Sequence, residues 1–142
     1  MEGKENILIS LEPRHAENIF VGVKRVELRR RTMNVELGST VWIYAKLPVG
    51  SIVGHATIAN IHVLSPSRLW REFGAVSGVS RSEFFEYFGE RNTAVALELE
   101  NCHRLARSFD LQSLRQVSRR FQPPQFFSRL RQGPILTAIS GA

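Results

Sequence analysis

The chain has 142 residues, of which 43% are apolar and 23% charged, and this composition is typical of a globular protein with one hydrophobic core. No apolar run approaches the roughly 20 residues of a membrane span, and the N-terminus lacks the apolar segment of a signal peptide. The single cysteine, Cys102, excludes an internal disulfide and a cysteine-based zinc site. We therefore expect a cytoplasmic protein with one domain over residues 1–142, a core at about 6–130 and a loosely ordered tail at 131–142.

The net charge of +6 is unevenly distributed. Residues 1–102 hold 12 basic and 12 acidic side chains, whereas residues 103–142 hold seven arginines and one acid, Asp110. A local excess of arginine predicts an anionic partner, and we expect RNA or another nucleic acid ahead of an acidic membrane surface. The alternative is a solvated basic face that binds nothing in particular.

The first elements are a strand, a helix and a cation-rich strand. Ile7–Leu11 has the composition of a short buried strand. A helix is predicted from Pro13, which suits a first turn, to Val21, and Gly22 ends it. The segment from Gly22 to Arg31 then carries five cations and one carboxylate, interleaved with the apolar residues of a strand.

The middle of the chain predicts two strands and two capped helices. The strands are 40–45 and 51–64, with Gly54 as the expected site of a bulge. Ser65 is the expected N-cap of the first helix. Ser80 opens the second with a capping box completed by Glu83.

The last third predicts one clear strand and short helices. Residues 93–100 alternate, with Val95, Leu97 and Leu99 on one face. Asp110 is the expected cap of a helix, and Pro123–Pro124 the start of another at 125–130. Because long βαβ crossovers are absent, the sequence favours an α+β, mainly β fold: a small β-barrel of five to six strands, mostly antiparallel and decorated with short helices.

The cation-rich strand has two different faces. Alternation sends Val26 and Leu28 to one side, and Glu27 and Arg29 to the other. No dinucleotide-binding or P-loop motif occurs, and the four histidines have no metal-ligand spacing. We therefore expect no metal and no cofactor.

The opening of the chain resembles that of an ASCH domain. The run Gly22-Val23-Lys24-Arg25-Val26-Glu27-Leu28-Arg29 matches the G-x-K-x-x-E-x-R motif of that family, and the preceding strand and helix match as well. The likeness extends over roughly residues 6–130 and includes Pro123-Pro124-Gln125, as in the longer bacterial members. It implies a PUA-like barrel with a cleft between barrel and helices, and a link to RNA binding.

Some ASCH proteins are enzymes, and the resemblance therefore implies two candidate activities. One bacterial branch hydrolyses N4-acetylcytidine with a lysine, a threonine and a glutamate, and another is associated with ribonuclease activity. The lysine matches Lys24 and the glutamate matches Glu98. Glu27 stands where the threonine is expected, so the hydroxyl nucleophile of the first activity is missing.

A mixed-charge cluster is expected if the strands that carry Lys24, Glu27, Arg29 and Glu98 adjoin. Three interpretations remain open: a nucleic-acid cleft that reads a nucleotide or modified base, a hydrolase acting on RNA or an acylated cytidine, and a structural ion-pair network. The catalytic candidates are Lys24, Glu27 and Glu98. The binding candidates are Lys24, Arg29, Arg30, Arg31, Tyr44, Trp70, Ser77, Ser80 and Gln125.

Overall fold

The computed structural model describes residues 4–141, which form six strands, five α-helices and one 3₁₀ turn. In chain order these are β1 (Asn6–Leu11), α1 (Pro13–Phe20), β2 (Val26–Arg29), β3 (Thr40–Ala45), β4 (Ser51–Leu64), α2 (Pro66–Phe73), the 3₁₀ turn (Gly74–Val76), α3 (Arg81–Phe88), β5 (Ala94–Asp110), α4 (Leu111–Val117), β6 (Ser128–Arg129) and α5 (Pro134–Ser140).

All six strands belong to one curled sheet, a half-barrel with the order β2-β5-β4-β3-β1-β6. Its pairs are antiparallel except for β1 and β3, which run parallel. The expected α+β, mainly β fold of five to six strands with short helices is thus confirmed. None of the helices among residues 4–141 is long and apolar enough to cross a membrane.

Three hydrophobic clusters hold the helices to the sheet. One side of β1, β3, β4 and β5 packs against α1 through Ala16 and Ile19. The opposite side of β1 and β3 packs against α4 and α5. The third cluster joins Val26 and Leu28 of β2 to α2 and α3. Because β2 is thereby covered on its apolar face, its polar face is turned toward the space between sheet and helices.

The local signals at bends and helix starts are confirmed. Ser65, Ser80 and Asp110 each accept a hydrogen bond from a backbone N–H in the first turn of α2, α3 and α4. The β4–β5 register shifts between Ile52 and Gly54. A Cβ at Gly54 would collide with a backbone carbonyl of β5, so only glycine permits this close approach.

Three sequence predictions fail in the last third. Strand β5 continues ten residues past the predicted end at 100, because the long strand β4 supplies it with a partner as far as Ser51. The helix expected at 125–130 is absent, and the segment is irregular before the short strand β6. The tail contains α5, which is ordered because Leu136 and Ile139 are buried against the sheet.

Candidate functional site

Lys24 is buried in a cage made by the loop that precedes α3. Only 2% of the residue is exposed. Its Nζ donates a hydrogen bond to the carbonyl of Ser77 at 2.5 Å. Gly78, at φ +76°, lies so close to the lysine stem that an added Cβ would sit 3.1 Å from it. The loop therefore fixes both the stem and the ammonium of Lys24.

Glu27 joins Lys24 to Arg29. Its two carboxylate oxygens lie 3.5 Å from Lys24 Nζ and 3.5 Å from Arg29 Nε. Glu27 and Arg29 are 7% and 8% exposed, so all three charges are shielded from bulk water. One carboxylate thus serves two cations, and the triad carries a net charge of about +1.

Burial lowers the pKa of Lys24, and the neighbouring Glu27 carboxylate opposes that shift. Desolvation disfavours a charged ammonium, whereas an adjacent anion favours it. The cage is therefore an environment in which the lysine holds its proton less firmly than a surface lysine does.

The triad lies at a cleft of about 490 Å³ between the sheet and helices α1 and α3. Ser10 of β1 and Tyr87 of α3 line it from different elements. At the same cleft, Arg14 of α1 forms an ion pair with Glu83 of α3 and so connects the two helices.

Several residues that line the cleft carry buried polar atoms without a hydrogen-bond partner. Among residues 4–141, the buried side-chain nitrogen and oxygen atoms without a hydrogen bond are Ser10 Oγ, His15 Nδ1, and Nε and Nη2 of Arg29. All three residues line this cleft. A buried donor left without an acceptor costs roughly 1–3 kcal/mol, so these atoms indicate a place shaped for a polar ligand.

Arg29 has one guanidinium nitrogen left for such a ligand. Its Nη1 donates to the carbonyl of Phe126 at 3.1 Å, and its Nε lies 3.5 Å from Glu27 Oε2. Nη2 has no partner, so it is the donor available to an oxygen of a phosphate or carboxylate.

His15 was not among the candidates from sequence. Its side chain lies in the cleft, and its Nε2 is 3.9 Å from Glu12 Oε1. Burial, and then the positive charge of Lys24, lower its pKa, which keeps the imidazole neutral at pH 7. The available signal was helical spacing, because His15 precedes the buried Ile19 by one turn of α1.

Glu98 does not reach the cleft. It lies directly opposite Val26 in the β2–β5 pairing, and cross-strand partners share a face of the sheet. Val26 faces away from Glu27, so Glu98 does too. Its carboxylate instead contacts His62 Nε2 at 2.7 Å and is 42% exposed. The expected convergence of Glu98 with Lys24 therefore does not occur.

The two aromatic residues proposed for base stacking also lie elsewhere. Tyr44 is 3% exposed and packs near Phe121 on the α4–α5 side of the sheet. Trp70 packs against Phe84 with ring centroids 5.1 Å apart. Neither residue lines the cleft, because each packs in a hydrophobic cluster away from it.

The remaining binding candidates from the sequence differ in their position relative to the cleft. Ser77 contributes its backbone carbonyl to Lys24, while its hydroxyl donates to the carbonyl of Gly74. Ser80 is occupied as the N-cap of α3. Arg30 and Gln125 line the cleft, and Arg31 lies beside it.

No group of three or more histidine, cysteine, aspartate or glutamate residues arranged to hold a metal ion occurs within residues 4–141. The chemistry that the geometry offers is that of a cationic, hydrogen-bonding cleft with a neutral imidazole.

Comparison with known proteins gives matches over most of the chain. A family model described as a domain of unknown function, DUF365, matches residues 7–122. An ASCH domain-containing ribonuclease of Zymomonas mobilis is 34% identical over 137 residues, which are 96% of this chain and 92% of that protein.

Solved structures agree with the sequence matches. An ASCH protein from Zymomonas mobilis superposes with a TM-score of 0.90 at 32% identity, covering 96% of this chain and 94% of that chain. The N-terminal domain of Staphylothermus marinus McrB shares the fold alone, with a TM-score of 0.60 at 10% identity over 97% and 94% of the two chains. This protein belongs to the ASCH domain family.

Proposed function

We propose that this protein is a ribonuclease that binds single-stranded RNA in the cleft and cleaves it there. The observation that carries the proposal is the set of unpartnered polar atoms on Ser10, His15 and Arg29, which line one cleft. The 34% identity to a protein named as an ASCH domain-containing ribonuclease supports the choice of RNA as the polymer.

The residues suit attack by the 2′-hydroxyl on the adjacent phosphate. Arg29 donates to a non-bridging oxygen through Nη2, and Lys24 places positive charge near the phosphorane. His15, being neutral, takes the 2′-hydroxyl proton. The new bond joins the 2′-oxygen to phosphorus, the bond to the 5′-oxygen breaks, and water at the open cleft protonates the leaving oxygen. The products carry a 2′,3′-cyclic phosphate and a 5′-hydroxyl.

Glu27 has a positioning role in this scheme. Both of its oxygens face cations, Lys24 and Arg29, at 3.5 Å. A carboxylate held in this way is a weak base, but it fixes both cations. It also offers no hydroxyl nucleophile, so we do not extend the proposal to acylated cytidines.

The test uses a DNA oligonucleotide that contains one ribonucleotide, with an all-DNA strand as control. Wild-type protein should cut only at the ribonucleotide and leave a cyclic phosphate detectable by mass spectrometry. His15→Gln should lower the rate by about 10²-fold or more, the usual range for loss of a general base. Arg29→Lys should also impair cleavage, because a lysine ammonium cannot contact Glu27, Phe126 and the phosphate at once as the planar guanidinium does.

Arg119→Lys is the matched control, because Arg119 is exposed and does not line the cleft. It should cleave at the wild-type rate. Equal cutting of the all-DNA strand, or full activity in both His15→Gln and Arg29→Lys, would overturn the ribonuclease proposal.

A second candidate function is RNA binding without cleavage. The two ion pairs of Glu27 favour this function, because a carboxylate engaged by both Lys24 and Arg29 is not free to act as a base. In that case RNA remains intact at saturating protein, while Arg29→Lys still weakens binding. Product analysis beside an affinity measurement separates the two functions.

A further inference from the structure

Two exposed arginines directly after β2 lie over aromatic rings. The guanidinium carbon of Arg30 lies 4.2 Å from the ring centre of Tyr87, and Arg30 Nε donates to the Tyr87 carbonyl at 2.9 Å. The guanidinium of Arg31 lies 4.4 Å from the ring centre of Phe126. We call Arg30 and Arg31 the arginine rim.

The arginine rim has no carboxylate partner among residues 4–141, in contrast to two other arginines that lie over aromatic rings. Arg104 is paired with Glu17, and Arg129 with Glu5. An arginine stacked on a ring and free of a counter-ion keeps its N–H edge and its outer face available. Stacking also removes side-chain freedom before any ligand arrives, which lowers the entropic cost of binding.

The rim is continuous with the cleft on two sides. Arg30 and Tyr87 both line the cleft. On the other side, Phe126 stacks under Arg31 with its ring and accepts the Arg29 hydrogen bond with its carbonyl. An RNA strand with one phosphate bound to Arg29 would therefore leave the cleft beside the guanidinium groups of Arg30 and Arg31.

We propose that the arginine rim is a second subsite, which binds the phosphates of single-stranded RNA that flank the nucleotide in the cleft. This inference rests on the proposed function. The guanidinium edges bind phosphate, and their outer faces stack on bases. Bases in a duplex have no free face, so the rim selects an unpaired strand.

The test measures binding of 2′-O-methyl RNA, which has no attacking 2′-hydroxyl. A dinucleotide has one phosphodiester and reaches only the cleft, whereas a pentanucleotide has four and reaches the rim as well. Affinities are measured by titration calorimetry between 50 and 200 mM salt. The variants are Arg30→Ala/Arg31→Ala and the control Arg119→Ala/Arg120→Ala, which removes two exposed arginines outside the cleft.

Wild-type protein should bind the pentanucleotide at least tenfold more tightly than the dinucleotide. The rim variant should lose that advantage. Arg31→Ala alone, at a residue that does not line the cleft, should keep the dinucleotide affinity within about twofold. Because each phosphate contact on a single strand contributes about 0.7 to the salt slope, loss of two contacts should reduce the pentanucleotide slope by about 1.4. The control variant should behave as wild type.

Three results would overturn the inference while leaving the proposed function in place: equal weakening of both oligonucleotides, no weakening of either, or the same loss in the control variant. Each would show that the rim does not distinguish the flanking strand. Failure of the wild-type protein to bind either oligonucleotide would instead overturn the proposed function together with this inference.

Discussion

Replacement of Glu27 by glutamine tests whether the buried triad stabilises the protein. The change keeps the shape of the side chain and removes the charge that Lys24 and Arg29 share. At an effective dielectric constant of about 20, each 3.5 Å ion pair has a gross attraction of about 5 kcal/mol. Breaking a buried ion pair by removing one partner typically costs 3–5 kcal/mol, because a buried charge is left uncompensated. We therefore expect a loss of about 3–5 kcal/mol in the free energy of unfolding.

Urea denaturation measures this loss, and Glu98→Gln is its matched control. That variant makes the same chemical change at a carboxylate that is 42% exposed and lies 2.7 Å from His62 Nε2. Exposed pairs contribute up to about 1 kcal/mol. A double variant, Lys24→Met/Glu27→Gln, should recover part of the loss, because it removes one of the two unpaired cations.

The pH dependence of the unfolding free energy checks whether the unpaired Lys24 causes the loss of stability in Glu27→Gln. Burial already lowers the pKa of Lys24 from its ordinary value of 10.5, and loss of Glu27 should lower it more. Between the folded pKa and 10.5 the unfolded state binds more protons, so stability rises with pH. The deficit of Glu27→Gln should therefore shrink from pH 7 to pH 10. A loss below about 1 kcal/mol, or a deficit independent of pH, would refute the argument.

Three further predictions concern the glycines and the histidine. Gly54→Ala should cost about 3 kcal/mol or more in urea denaturation, because its Cβ meets the immobile carbonyl of His103. Gly78→Ala should lower the free energy of unfolding by roughly 1–3 kcal/mol because of the positive φ alone. It should also weaken RNA binding, because the new methyl group presses on the side chain of Lys24. Gly89→Ala is the control, since Gly89 has a positive φ but open space around it. Because the pKa of His15 is lowered, stability should fall as pH drops below about 6.5, and His15→Gln should flatten that part of the profile.

The polar face of β2 could be predicted from sequence because it follows from alternation alone. Glu27 and Arg29 are two residues apart on a strand whose other face is apolar, so they had to share the polar side. Glu98 shows where this reasoning stops. Its side chain is placed by the register opposite Val26, and register depends on the pairing of distant segments. A shift of one residue would have turned it to the other face.

The elements missed from sequence also owe their form to distant partners. The second half of β5 is stabilised by β4, and α5 by apolar side chains of β1 and β3. His15 was overlooked for a related reason. Helical spacing places it on the face of Ile19, but whether that face meets a core or a cleft is decided by how α3 packs across from α1.

The buried triad explains how two cations can lie close together inside the fold. Two cations alone at this depth would repel each other and favour unfolding, while two carboxylates would neutralise them and remove the attraction for an anion. Glu27, placed between Lys24 and Arg29, leaves an excess of one positive charge, while Nη2 of Arg29 remains without a partner. The glutamate that stands at the expected position of a hydroxyl nucleophile therefore has a physical role of its own. It makes the burial of Lys24 and Arg29 tolerable and leaves Nη2 of Arg29 as the donor for the ligand.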